Sequence, residues 1–129
     1  MTRTITAGIA AGLAAAIINS IIYAIAHAAG AAMTAGFGGP IITVAGFMPA
    51  LASFVPLLIA AVIVWLIERK APKVHTPLAW IGLVVGVLSA VAPLTAATDA
   101  GTMWGLAAMH CIVGISWCAA QLWAKPQRT

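Results

Sequence analysis

Only two acidic residues, Glu68 and Asp99, occur in the whole 129-residue chain, and charged residues of either sign make up 6% of it. A soluble domain carries roughly 25%, so no water-facing surface of ordinary size can be built from this sequence. Both carboxylates lie beside the ends of apolar runs rather than inside them, which removes the paired-carboxylate arrangements of acid–base catalysis. No Cys-x-x-Cys pair is present to suggest a thiol oxidoreductase. Cys111 and Cys118 are seven residues apart in one apolar run. On a helix that is roughly 10 Å, too far for a mutual disulfide. No His-Glu-x-x-His or His-x-x-x-His pattern offers a metal site, no Ser/His/acid set has triad spacing, and the glycines lack the Gly-Lys-Ser/Thr ending of a phosphate loop. The reading is therefore of no catalytic residues and no metal ligands.

What is present is hydrophobic residue, 64% of the chain. Crossing a bilayer takes about 20 apolar residues as helix, and four runs qualify, near residues 5–29, 49–67, 77–97 and 101–124. Polar alternation of the kind a strand barrel needs is absent. The expected fold is all-α: one integral membrane domain over residues 1–129, a bundle of four transmembrane helices running up and down, antiparallel. The first run is too long for the apolar core of a secretory signal, so it is read as a retained span. Short links between the second and third runs and between the third and fourth predict antiparallel hairpins.

The basic residues set the orientation. Arg3, Arg69, Lys70, Lys73, Lys125 and Arg128 fall on one side if the N-terminus is cytoplasmic, and none falls on the other. A formal charge of +4 distributed this way marks membrane topology and gives no nucleic-acid footprint. Both termini are expected in the cytoplasm, with the chain multi-pass in the inner (plasma) membrane and the lipid bilayer as its first partner. Trp65, Trp80 and Trp123 at inner ends and Trp104 near the outer end agree with aromatic belts. The first outer loop, about residues 30–48, is glycine-rich, apolar and uncharged. It is expected to lie on the outer surface or to fold back over the bundle.

Several local signals refine the helices. Thr76-Pro77 and Pro49 read as helix starts, and Asp99 as the cap of the fourth helix. Pro56 and Pro93 predict kinks, since each strips a donor from the carbonyl four residues back, Ala52 and Ser89. Gly8-x-x-x-Gly12, Gly82-x-x-x-Gly86 and Gly101-x-x-x-Gly105 allow close helix approach, within the bundle or between copies in a homo-oligomer or larger membrane complex. Glu68 beside Arg69 and Lys70 reads as a solvated ion pair, and His75 as a surface residue of the basic loop.

Polar side chains within the spans are the candidates for function. Asn19, Tyr23 and His27 recur at spacings of four on the first helix, with Ser20 beside them, and the fourth helix carries His110 at a comparable expected depth. These four, with Asp99 near the mouth, form a candidate ligand pocket; the competing reading is that they only bond helix to helix. Two histidines also allow a haem as a third reading, although no cofactor is called for by the sequence itself.

The run Leu88-Ser89-Ala90-Val91-Ala92-Pro93-Leu94, followed by Ala108-Met109-His110-Cys111-Ile112-Val113, resembles a family of small bacterial four-helix membrane proteins classed as a domain of unknown function. The likeness extends over nearly the whole chain in helix number and loop length. The family's recurring Ser, Pro and Met-His pair map onto Ser89, Pro93, Met109 and His110, while Cys111 replaces the more usual aliphatic residue. The resemblance implies the fold and draws attention to His110, and implies no reaction. Small multidrug transporters are similar in size but look for a glutamate in the first helix, which has none; claudin-like proteins are similar in topology, but their pattern of an outer Trp with paired Cys is missing here.

Two functional readings follow: a non-enzymatic accessory or self-associating membrane subunit, and a binder or carrier of a small apolar or amphipathic molecule. The orientation is testable directly. A reporter fused to the C-terminus should read cytoplasmic, and two or three Lys residues placed in the loop after the first helix should weaken or invert that signal; indifference to the added charge would contradict the assignment.

Overall fold

The computed structural model describes residues 2–36 and 38–125. Its elements are α1 (Thr2–Ala28), β1 (Thr34–Ala35), β2 (Ile42–Thr43), α2 (Met48–Glu68), a 3-10 turn (Pro72–Val74), α3 (His75–Ser89), α4 (Val91–Ala96) and α5 (Ala100–Ala124). Among the described residues four stretches are long and apolar enough to cross a membrane: Arg3–Ala28, Met48–Glu68, Pro72–Ala96 and Ala100–Ala124. The protein is thus a four-span helical membrane protein, as the hydropathy predicts. Arg128, counted in the charge asymmetry, lies outside the described residues.

The boundaries differ from expectation where local chemistry decides them. α5 begins one residue early, capped by Asp99, whose carboxylate accepts from the Thr102 amide at 2.9 Å. α3 begins at His75 with no side-chain cap, so Thr76 is not the cap the Thr-Pro pair suggested. Pro77 then occupies the third helical position, where its missing N–H is one the first turn leaves unpaired anyway. α2 runs unbroken through Pro56, whereas the third span divides at Ala90, three residues before Pro93. α1 stops at Gly30, which takes φ +92°; the Gly30 and Ala31 amides bond the carbonyls of His27 and Ala26, closing the last turn as only a left-handed residue allows.

Packing follows the small residues. α1 lies against α2 and α5, and α3 lies against α5. α2 and α3 are joined by a short link, yet they scarcely touch along their lengths. The six glycines of the sequence motifs sit at contacts inside the bundle. A Cβ on Gly8 would overlap Ala61, one on Gly82 would overlap the Trp117 indole, and one on Gly12 would come within 2.8 Å of Phe54. Gly86 meets Gly114, whose Cα would lie 2.6 Å from an added Cβ; Gly101 and Gly105 face Ala31 and Ala26 of the α1 end. Gly114 was not marked by any spaced motif, and it completes the α3–α5 approach.

Two polar ties fasten the ends. At the basic end Thr4 donates to Glu68 Oε2 at 2.7 Å, Glu68 Oε1 pairs with His75 Nδ1, His75 Nε2 donates to the Gln121 carbonyl at 2.7 Å, and Gln121 Nε2 donates to the Thr4 carbonyl at 3.3 Å. One residue from each span takes part. This corrects both expectations for the region: His75 is 2% exposed and Glu68 turns inward to it rather than to Arg69 or Lys70. Arg69 instead stacks over the Trp65 ring at 5.3 Å. At the opposite end the loop after α1 folds back over the bundle as a short antiparallel hairpin, Thr34 opposite Thr43 and Ala35 opposite Ile42, with Ala35 also bridging Ala97.

Replacing Gly82 by Leu should lower stability by about 1–3 kcal/mol through overpacking against Trp117, while Gly39→Ala, with open space around it, should leave the melting temperature in detergent unchanged. His75→Leu should cost on the order of 3 kcal/mol, because it strands the Glu68 carboxylate; a melt indistinguishable from the parent would contradict the inner tie.

Candidate functional site

The third span breaks at Ala90 and the second touches it little, so space remains between them toward the hairpin end. A half-open cavity of about 430 Å³ occupies it. Its walls are mostly apolar, from Pro49 and Pro56 of α2, Pro93 of α4, and Met109 and Val113 of α5, and the hairpin roofs it with Ala35, Ile42 and Val44. Four polar side chains interrupt this lining: Asn19, Ser53, Ser89 and His110.

Each is fixed by its helix. Ser53 donates to the Pro49 carbonyl one turn back at 2.6 Å, a carbonyl near the start of α2. Its oxygen then accepts from Asn19 Nδ2 at 2.8 Å, and Nδ2 also donates to the Met109 carbonyl at 3.1 Å. The amide orientation is set by these contacts, since flipping it would put Oδ1 against the Met109 oxygen. Asn19 Oδ1 is buried with no partner among the described residues, the residue as a whole being 2% exposed. Ser89 lies 2.7 Å from the Gly86 carbonyl and 2.8 Å from His110 Nδ1. The carbonyl can only accept, so the hydroxyl donates there, and His110 Nδ1–H donates to Ser89.

The sequence candidates separate into two groups. Asn19 and His110 share the cavity. Tyr23 instead donates to the Val44 carbonyl at 3.0 Å, pinning the hairpin, and His27 stacks on Tyr23 with centroids 5.8 Å apart while itself exposed. The reason is helical pitch: residues four apart drift by about 40° per step, so a stripe of three turns out of the interface by its last member. The depth comparison also shifts, because Gly101 packs at Ala31 beyond the end of α1. His110 therefore lies level with Asn19 rather than Tyr23, and the two histidines do not face one space as a haem would require. Among the described residues no group of three or more His, Cys, Asp or Glu is placed to hold a metal ion.

Asp99 stands apart from the cavity. It accepts from the Thr102 hydroxyl at 2.5 Å, from the Thr102 amide, and from the Ala32 amide at 3.2 Å. The Thr102 hydroxyl first, then these amides, hold its carboxyl below the usual carboxylate range. Thr102 also accepts from the Met33 amide at 2.8 Å, and Met33 is buried in the left-handed region at φ 53°. Asp99 is thus the fastening of the loop to α5.

A model of a family of unknown function, DUF6069, matches residues 1–124. The chain belongs to that family. No curated protein and no solved structure matches it. The membership agrees with the resemblance to an uncharacterised family drawn from Ser89, Pro93, Met109 and His110, two of which now meet across the α3–α5 interface. Ser53 escaped sequence reasoning altogether; a lone serine one turn after a proline at a helix start was its only signal.

Asn19→Leu should leave stability within about 1 kcal/mol of the parent, since interhelical hydrogen bonds in membranes average near 0.6 kcal/mol and Ser53 and Met109 keep their own helix bonds. Thermal melts in detergent check this: a loss of several kcal/mol would make Asn19 a structural tie and nothing more.

Proposed function

We propose that this multi-pass membrane protein is a non-enzymatic binder of a small amphipathic molecule, held in the cavity with its polar end at Asn19 and His110. The single observation that carries the reading is Asn19 Oδ1, a buried acceptor without a partner among the described residues, on a side chain that lines a space of about 430 Å³. Leaving such a group unmet costs about 1–3 kcal/mol, which a ligand's hydrogen-bond donor would recover. The volume falls within the range of small-molecule sites, and the lining is apolar around a few convergent polar groups, as such sites are built.

The alternative, a self-associating or accessory subunit, draws on small-residue faces. Its support weakens because Gly8, Gly12, Gly82 and Gly86 are taken up against Ala61, Phe54, Trp117 and Gly114 within one chain. We place the protein in the inner (plasma) membrane with both termini cytoplasmic, on the strength of Arg69, Lys70, Lys73 and Lys125 gathering at one end.

Native mass spectrometry of the detergent-purified chain should show a reproducible added mass on each copy, lost in His110→Leu and in Asn19→Leu while the bundle stays folded. A clean 13.1 kDa species, alone or in exact multiples, from gently extracted membranes would contradict the binding reading and return attention to self-association.

A further inference from the structure

We infer that the cavity selects uncharged amphipathic molecules whose head donates a hydrogen bond, such as an alcohol or a phenol on an apolar chain, and admits them sideways from the bilayer between α2 and α4. This rests on the binding reading above and specifies its ligand.

The first ground is the direction of every hydrogen bond at the site. Asn19 spends its Nδ2 on Ser53 and Met109, so it offers only Oδ1. Ser53 spends its proton on Pro49 and its oxygen on Asn19. Ser89 spends its proton on Gly86, because turning it to His110 would leave two oxygens facing each other at 2.7 Å. His110 then carries a proton on Nδ1, and with no carboxylate lining the cavity to balance a second one we take the ring as neutral, which makes Nε2 an acceptor. The groups left over on these two lining residues, Asn19 Oδ1 and His110 Nε2, both accept. A ligand that only accepts, such as an ester or a ketone, would face them lone pair to lone pair.

The second ground is charge. Among the described residues no Asp, Glu, Lys or Arg lines the space, and Asp99 is committed to Thr102 and Ala32. A carboxylate or an ammonium entering it would lose its hydration with no counter-charge to replace it. A hydroxyl head loses little and meets two acceptors.

The third ground is the way in. The hairpin residues Ala35, Ile42 and Val44 close the loop end. α2 and α4 form opposite walls and share no packed interface, so the opening lies between them, at membrane depth, where apolar chains are the surrounding solvent.

The test uses photoreactive alkyl diazirines of one chain length ending in a hydroxyl, a methyl ester, a carboxylate or a trimethylammonium, added to the full-length protein in liposomes. Labelled peptides are mapped by mass spectrometry. The hydroxyl probe should label residues 49–56 and 106–113 about tenfold more than the others, the ratio of one hydrogen bond, and that excess should vanish in Asn19→Leu. Equal labelling there by the ester and the hydroxyl, or preference for a charged head, would overturn the selectivity while leaving the cavity a binding site. Labelling of lipid-facing positions alone, by every probe, would overturn both.

Discussion

Close backbone approach at glycine is the constraint on which this structure depends. Lipid gives apolar helices no reason to prefer each other to acyl chains, so they associate where backbones can come near and dispersion contacts accumulate. Gly8 and Gly12 provide this between α1 and α2, and Gly82, Gly86 and Gly114 between α3 and α5. α1 and α5 then meet through Gly105, Ala26 and the Asn19 bond to Met109. The spans are thereby ordered α2, α1, α5, α3, and no comparable seam joins α2 to the third span. Trp117, filling the notch at Gly82 and donating to the Leu78 carbonyl, wedges the far side of the row at 3.2 Å.

The cavity is what this ordering leaves, and the polar residues divide accordingly. At the basic end, Thr4, Glu68, His75 and Gln121 use nearly all their bonding capacity on each other, with Gln121 Oε1 the exception. At the hairpin end, Asp99 and Thr102 are likewise consumed by the loop they hold, which keeps Met33 in a backbone conformation few residues adopt. Between these two fastened ends Asn19 and His110 keep capacity in reserve. Structural polar groups in a membrane close on one another; these two close only halfway, and both residues line the same space.

Hydropathy alone carried the spans, because a chain with so few charges has one solvent available to it. Asp99 as a helix cap and the disruption at Pro93 were equally legible, since each rests on chemistry within four residues. What depended on rotation or neighbours was not. The Asn19–Tyr23–His27 stripe reads as one face until the pitch is followed for two steps. Glu68 and His75 sit beside Arg69, Lys70 and Lys73 in the sequence and look solvated, yet the 3-10 turn at Pro72–Val74 brings them together under Thr4 and Gln121. Ser53 and Gly114 carry no spaced pattern at all; their roles appear only once α1 crosses α2 and α3 crosses α5.

The central claim is that the space between α2, α4 and α5 takes up an amphipathic alcohol. Methionine methyls report on it without any substitution, since Met48 and Met109 line the cavity and Met103 lies higher on α5 outside it. With methyl-labelled methionine and the protein in bicelles, titration with a medium-chain alcohol should shift the Met109 and Met48 resonances saturably and give nuclear Overhauser contacts from the alcohol chain to Met109, with Met103 unmoved. Linear, equal shifts at all three methyls would mean the alcohol merely dissolves in the surrounding lipid, and the account would fail.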